Sequence, residues 1–396
     1  MTSTLTWLDH DAEARDRSLR ILALFREKES RDELGFGGIR DAISDRLFPG
    51  TSTIQTRLRY VLLVPWVYQE IERQRVSADR FSARAREAEI ALMRPLLDAR
   101  EEGVFGAQAG SDIKRLPSSV YWAALGAWGI RRFSGSQTEY SQSIDLIYAN
   151  RGRSKQHQED DTDSDPSATW HPRLPSAPAD FPRALTFTLT TEEASFLRDR
   201  IVATCKDSLL AWLALHGHVD SAPEPWLHHQ FGNFPLHLRR LMGQARLLTD
   251  VAEAAARTYS LCLSEVREDS DLADIHRDAL SDWRDRCDIS GIKNWRLDEL
   301  WSETMAFGHT ITPRTKQFVE QFVERVCAKD GRIEDDSKAR QLVSEREQSL
   351  KGRRSRFVNR GALSQWGGSS GVGRMAYRWP TARRFLEDLL PALGRP

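Results

Sequence analysis

Four cysteines in 396 residues, none in a C-x-x-C pair, leave too little thiol chemistry for a zinc ribbon or a disulfide framework. Cys205, Cys262, Cys287 and Cys327 lie apart in sequence, which suits reduced thiols. Long apolar runs are missing as well. The longest, "YVLLVPWVY" from Tyr60, is far below membrane-spanning length. The opening "MTSTLTWLDHD" lacks a basic stretch followed by an apolar one, so no leader, no membrane partner and a cytoplasmic location are expected. Net charge is zero, from 57 basic and 57 acidic residues. That zero conceals a segregation: residues 351–396 carry ten Lys and Arg against two acids, +8, which leaves −8 on residues 1–350. Such a division points to an interaction tail.

Complete catalytic motifs are also lacking. "GFGG" at Gly35 begins like a dinucleotide fingerprint, but Arg40 occupies the third glycine position and "RDEL" before it is no buried strand. "GSSGVGRM" from Gly368 has the glycine frame of a phosphate loop, with Arg374 and Met375 where Lys and Ser/Thr belong. "GGSSG" matches G-x-S-x-G formally, yet neither a strand before it nor a helix directly after it is expected. His216, His218, His228, His229 and His237 cluster without an H-E-x-x-H pattern. Asp41 and Asp45, four apart, share a helix face that could hold a metal, but ion pairs with neighbouring arginines are the plainer reading. No cofactor and no metal are expected.

What is present is globular: 40% hydrophobic residues, with twelve Trp and sixteen Phe. Apolar residues recur at helical spacing through most of the chain, beginning with residues 11–28. The expected fold is mainly α, multi-domain, with helix-turn-helix-like units and minor β, the latter from the alternating "ALTFTLT" at Ala184. Expected divisions are an N-terminal helical domain over 1–153, an acidic and proline-rich linker or loop over 154–182, a second helical domain over 183–350 and a basic segment over 351–396.

The stretch "RDELGFGGIRDAISDRLFPGTSTIQTRLRYVLLVPWVY" predicts two helices, Ile39 to Phe48 and Thr53 to about Leu63, joined by Pro49-Gly50-Thr51. That is helix-turn-helix spacing, and the second helix would present Gln55, Thr56, Arg57 and Arg59 to phosphates or base edges. An ordinary hairpin whose arginines pair with nearby acids is the competing reading. In the tail, Arg353, Arg354, Arg356, Arg374 and Arg378 interleave with Trp366, Tyr377 and Trp379, a mixture suited to phosphate contact plus base stacking. Equally, it could clamp an acidic partner or the chain's own acidic body.

"WLDHD", the Arg31 to Tyr68 block, "LPSSVYWAALGAWGI", "LTTEEASFLRDRI" and "MAYRW" together resemble an uncharacterised bacterial family catalogued as a domain of unknown function. The resemblance spans nearly the whole chain. It implies encoding near helicases, nucleases or methyltransferases of phage-defence islands, and carries over no catalytic residue. The expected function is a non-catalytic accessory of bacterial antiviral defence that binds nucleic acid, DNA foremost, or joins a complex with a helicase or nuclease. Two alternatives stand beside it, a metal-dependent nuclease or other hydrolase and a pure protein scaffold.

Overall fold

The structure, a computed structural model, describes residues 32–157, 168–305 and 308–395. The helix expected over 11–28 and the acidic run from Glu159 to Asp165 lie outside the described residues. Two compact units form, one from residues 1–42 with 243–375 and the other from 43–242 with 376–396. These are not the linear segments expected from composition. Each unit closes by bonding residues far apart in sequence, and composition along the chain carries no trace of such pairing.

Helices dominate, as the apolar periodicity predicts. Among the described residues there is no strand, only an isolated antiparallel bridge between Arg131 and Trp170, so the expected minor β is absent there.

In the unit containing residues 43–242, the helix Tyr60–Arg73 buries every residue from Tyr60 to Tyr68, which explains a run apolar on all sides. Pro65 sits inside that helix without ending it. Around it pack Ala78–Ala91, Pro117–Ala127 and Gln137–Gln142, with Tyr68, Phe81, Trp122, Tyr140 and Trp170 forming a cluster of rings. Trp170 donates its indole N–H to Glu72 at 2.7 Å, and Arg151 pairs with the same carboxylate at 2.6 Å. Within the expected linker, Thr169 and Trp170 are therefore packed into a core, while Pro172, Arg173, Ser176, Ala179, Asp180 and Pro182 are exposed. One buried acid stands apart: Glu89 accepts the Ser118 N–H at 2.7 Å through Oε2, while Oε1 has no partner. Burial pushes its carboxyl up to about 7, against the smaller opposing pull of the Ser118 bond and Arg86.

The other unit is built on the helix Leu236–Val266 from Gly243 onward, with Ser270–Arg286, Pro313–Ala328 and Ser337–Lys351 around it. Pro313–Ala328 buries Phe318, Val319, Phe322, Val323 and Val326, one stripe of a 3.6-residue period. Phe36 meets Phe318 edge-on at 5.7 Å between ring centres. Arg346 ties the same region by donating to the Leu34 carbonyl at 2.9 Å and the Thr315 hydroxyl at 2.8 Å.

Candidate nucleic-acid interface

The block from Gly37 to Tyr68 forms two helices, but the second begins at Tyr60 rather than Thr53. Residues 52–59 form turns instead. Short polar and β-branched residues explain this, because their side chains compete for the backbone bonds a helix would use. Thr51 donates to the Phe48 carbonyl at 2.7 Å, and Gln55 accepts the Ser52 N–H at 2.9 Å. Tyr121, fully buried, receives the N–H groups of Thr56 and Arg57 at 2.9 and 3.0 Å and donates to the Arg57 carbonyl at 2.7 Å.

No reading helix exists here, and its residues are turned to other uses. Gln55 is 5% exposed and donates to the Gly50 carbonyl at 3.1 Å. Thr56 donates to the Gly103 carbonyl at 2.7 Å. Arg57 pairs with Asp388 at 2.8 Å and Glu101 at 3.4 Å. Arg59, 6% exposed, pairs with Glu193 at 2.6 Å and donates to the Thr186 carbonyl at 2.8 Å. The helix-turn-helix expectation is thus corrected: a buried arginine with a buried carboxylate partner cannot also face a phosphate.

The basic segment splits into two behaviours. Trp366 is buried, its indole N–H donating to the Ser370 hydroxyl at 2.9 Å and its ring stacked on His276. His276 donates from Nε2 to the Gly368 carbonyl at 2.7 Å, and burial lowers its imidazole below the ordinary histidine range. Arg374 bridges Asp250 at 2.9 Å and Glu253 at 3.3 Å. Arg378 pairs with Asp45 and donates to the Thr51 carbonyl at 3.0 Å. Tyr377 and Trp379 are buried, with Trp379 donating to the Ala222 carbonyl at 2.8 Å. Base stacking on Trp366, Tyr377 or Trp379 is therefore ruled out in this conformation.

Residues 352–360 behave differently. The helix Ser337–Lys351 stops at Gly352, whose φ of 53° and ψ of −124° suit glycine and strain any residue with a Cβ. A tight turn follows, with Ser355 fully buried and its N–H bonded to the Gly352 carbonyl at 3.0 Å. Arg356 anchors the turn inward: its N–H bonds Glu347 at 3.0 Å, and its guanidinium meets Glu33 at 2.8 Å and the Tyr259 hydroxyl at 2.9 Å. Lys351 pairs with Glu33 as well. Asn359 caps the next helix, accepting the Ala362 N–H at 3.0 Å, and reaches back to the Arg353 carbonyl at 3.2 Å. Outward from this rigid frame stand Arg353, Arg354, Val358 and Arg360, all exposed. Of the basic residues singled out in the tail, Arg353 and Arg354 thus face solvent while Arg356 is the anchor.

Asp41, Asp45, His228, His229 and His237 each have a partner in the chain. Asp41 pairs with Arg40 at 3.0 Å, and Asp45 with Arg378. Asp220, His228 and His229 bring one ligand atom each within 4.8 Å of the others, close enough to consider a metal. His229 Nδ1 lies 2.6 Å from Asp220 Oδ2, and His228 Nδ1 3.6 Å. However, Asp220 also accepts the N–H groups of Ala222 at 2.6 Å and His229 at 2.8 Å, and His228 Nδ1 accepts that of Gln230 at 3.1 Å. The bonds close the loop without an ion. Asp220→Ala is expected to cost about 1–3 kcal/mol in urea denaturation, and added Zn²⁺ is expected to leave the wild-type melting temperature unmoved.

A family model matches residues 2–393. The chain belongs to DUF6361, a family of unknown function. No curated protein and no solved structure matches it significantly. The resemblance noted in the sequence is thereby established at the level of a family without assigned function. Among the described residues of this DUF6361 chain, no helix is long and apolar enough to cross a membrane.

Sequence reasoning found the arginines of the turn but missed its anchors. Glu33 and Glu347, 4% and 0% exposed, hold Arg356 and Lys351 from opposite ends of a unit whose closure is not written in local pattern. The one local signal was Gly352 after a polar helix rich in charge, a helix-ending glycine.

Proposed function

We propose that the protein is a non-catalytic accessory that binds nucleic acid through phosphate contacts at the 352–360 turn. The observation that carries this reading is the frame itself: Ser355 and Arg356 are fixed inward, so Arg353, Arg354 and Arg360 are presented outward from a backbone that is already ordered. Val358, 61% exposed between them, adds an apolar contact. Contacts of this kind position a polyanion without reading its sequence. The non-catalytic part is supported by Asp41, Asp45, Asp220 and His228, each held by a partner in its own chain. Service in bacterial antiviral defence, alongside a helicase or nuclease, rests on the gene neighbourhoods of the family it resembles.

Charge reversal tests the proposal. Arg353→Glu, Arg354→Glu and Arg360→Glu together are expected to weaken binding to duplex and single strands of any sequence at low salt. They are also expected to flatten the salt dependence by roughly 0.7–0.9 for each phosphate no longer neutralised. Trp366→Ala is expected to lower the melting temperature and leave the salt slope unchanged. Equal affinity in the triple variant would remove the turn as the site. Robust DNA cleavage or nucleotide hydrolysis with Mg²⁺, Mn²⁺ or Zn²⁺, abolished by Asp41→Ala or His228→Ala, would replace the proposal with the hydrolase.

A further inference from the structure

In the unit containing residues 43–242, a short bridge gathers side chains that the 352–360 turn does not use. Arg132 donates its backbone N–H to the Thr169 carbonyl at 2.8 Å, and His171 donates its own to the Ile130 carbonyl at 2.8 Å. The chain after the helix Pro117–Ala127 therefore runs antiparallel to residues 169–171. The helix Thr191–Thr204 packs beside this pair. Its Phe196 meets the His171 ring edge-on at 5.5 Å between centres, and its Arg200 Nη1 lies 3.2 Å from His171 Nε2. Arg200 is held there by donating from Nε to the Trp128 carbonyl at 3.0 Å. Gly129, at φ 62°, makes room for it, since a Cβ would lie 2.7 Å from Arg200 Nη2.

This cluster is short of an acceptor in two ways. Arg173 donates its backbone N–H to His171 Nδ1 at 3.2 Å, which leaves the proton of a neutral imidazole on Nε2, facing an Arg200 N–H. Moving the proton to Nδ1 only transfers the conflict: each tautomer sets one N–H against another, and the protonated ring does so on both sides. Charge is unbalanced as well. Arg132 and Arg173 are exposed and Arg200 is half-buried, and none of the three pairs with a carboxylate among the described residues. Arg57 and Arg151 of the same unit each meet one. Burial lowers the His171 imidazole below the ordinary histidine range, and Arg200, Arg173 and Arg132 push it the same way. Burial, then Arg173, likewise lowers the Arg200 guanidinium.

We propose that Arg132, Arg173, Arg200 and His171 bind a phosphate monoester. One oxygen between His171 Nε2 and Arg200 Nη1 accepts from both, which removes the donor conflict, and the guanidinium groups of Arg132 and Arg173 take the other oxygens. Three cations around one ring fit a compact dianion with three acceptor oxygens better than a diester, which brings a single charge per phosphate. This site is separate from the 352–360 turn, and neither proposal depends on the other.

The test uses the full chain with isotope-labelled histidine at about pH 7.5, where a monoester is a dianion. Millimolar adenosine monophosphate and inorganic phosphate are expected to shift the His171 ring signals. Adenosine, and sodium chloride at matched ionic strength, are not. Arg132→Ala together with Arg173→Ala is expected to weaken adenosine monophosphate binding about tenfold in calorimetry, with no fall in melting temperature. Arg200→Gln is expected to weaken it too, and the exposed pair decides the matter where Arg200→Gln fails to fold. Adenosine monophosphate binding more tightly than inorganic phosphate supports the proposal with a nucleotide as the source, and equal affinity supports it with the free anion. No shift with either phosphate, an equal shift with adenosine, or full affinity in the double variant would overturn it. An oligonucleotide without terminal phosphates that moves the same ring signals would also overturn it, and would make the cluster a contact for nucleic-acid backbone.

Discussion

Glu89→Gln is expected to change stability little at pH 5 and to raise it by roughly 3 kcal/mol at pH 8.5. The wild-type carboxyl, 3% exposed, is pushed up to about 7 by burial, against 4.5 for the same group in the unfolded chain. A raised folded-state value stabilises fully below the unfolded value. Between pH 4.5 and 7 the unfolded chain releases this proton while the folded chain retains it, so stability falls with rising pH and the contribution is gone above about pH 8. Gln stays neutral throughout and keeps an oxygen for the Ser118 N–H. Urea midpoints at the two pH values, compared between wild type and variant, check the sign. An equal difference at both would mean that Glu89 is ionised in the folded protein at pH 5.

Arg59→Ala is expected to cost about 3–5 kcal/mol, far more than an exposed arginine would. Truncation leaves Glu193, 4% exposed, as a buried carboxylate without its cation, and frees the Thr186 carbonyl. Removing both partners is expected to cost less than the sum of the single changes, because the stranded charge disappears with its partner. Glu193 also accepts the Thr190 N–H that starts the helix Thr191–Thr204, so the double variant is not expected to return to wild type. Near-wild-type stability of Arg59→Ala together with lost DNA binding would restore the reading-helix interpretation of this block.

The mainly helical fold was legible because helical periodicity is a local property, carried by runs such as Phe318 to Val326. The start of the helix at Tyr60 was not, because the Thr-Ile-Gln-Thr stretch before it, with Thr51 and Ser52 as candidate caps, suits a helix equally well. Its outcome is decided by the Tyr121 hydroxyl and the Asp388 carboxylate, which accept the backbone N–H groups of Thr56, Arg57 and Leu58 from far along the chain. The tail shows the same limit. Its charge was plain in composition, but which arginines face solvent depends on the nearby Glu347 and on Glu33, Asp250 and Glu253, acids that pair across long stretches of chain. Composition counts charges, and only the fold says which are already neutralised.

Photo-crosslinking to DNA from two exposed positions tests the central claim most directly. Val358, 61% exposed, lies among the arginines of the 352–360 turn, and Ile54, 42% exposed, lies in the block that would have held the reading helix. Each is replaced in turn by a photoreactive phenylalanine derivative, at sites whose exposure spares the core. Adducts with a duplex from position 358 and none from position 54 are the predicted result. Adducts from position 54 alone would contradict it.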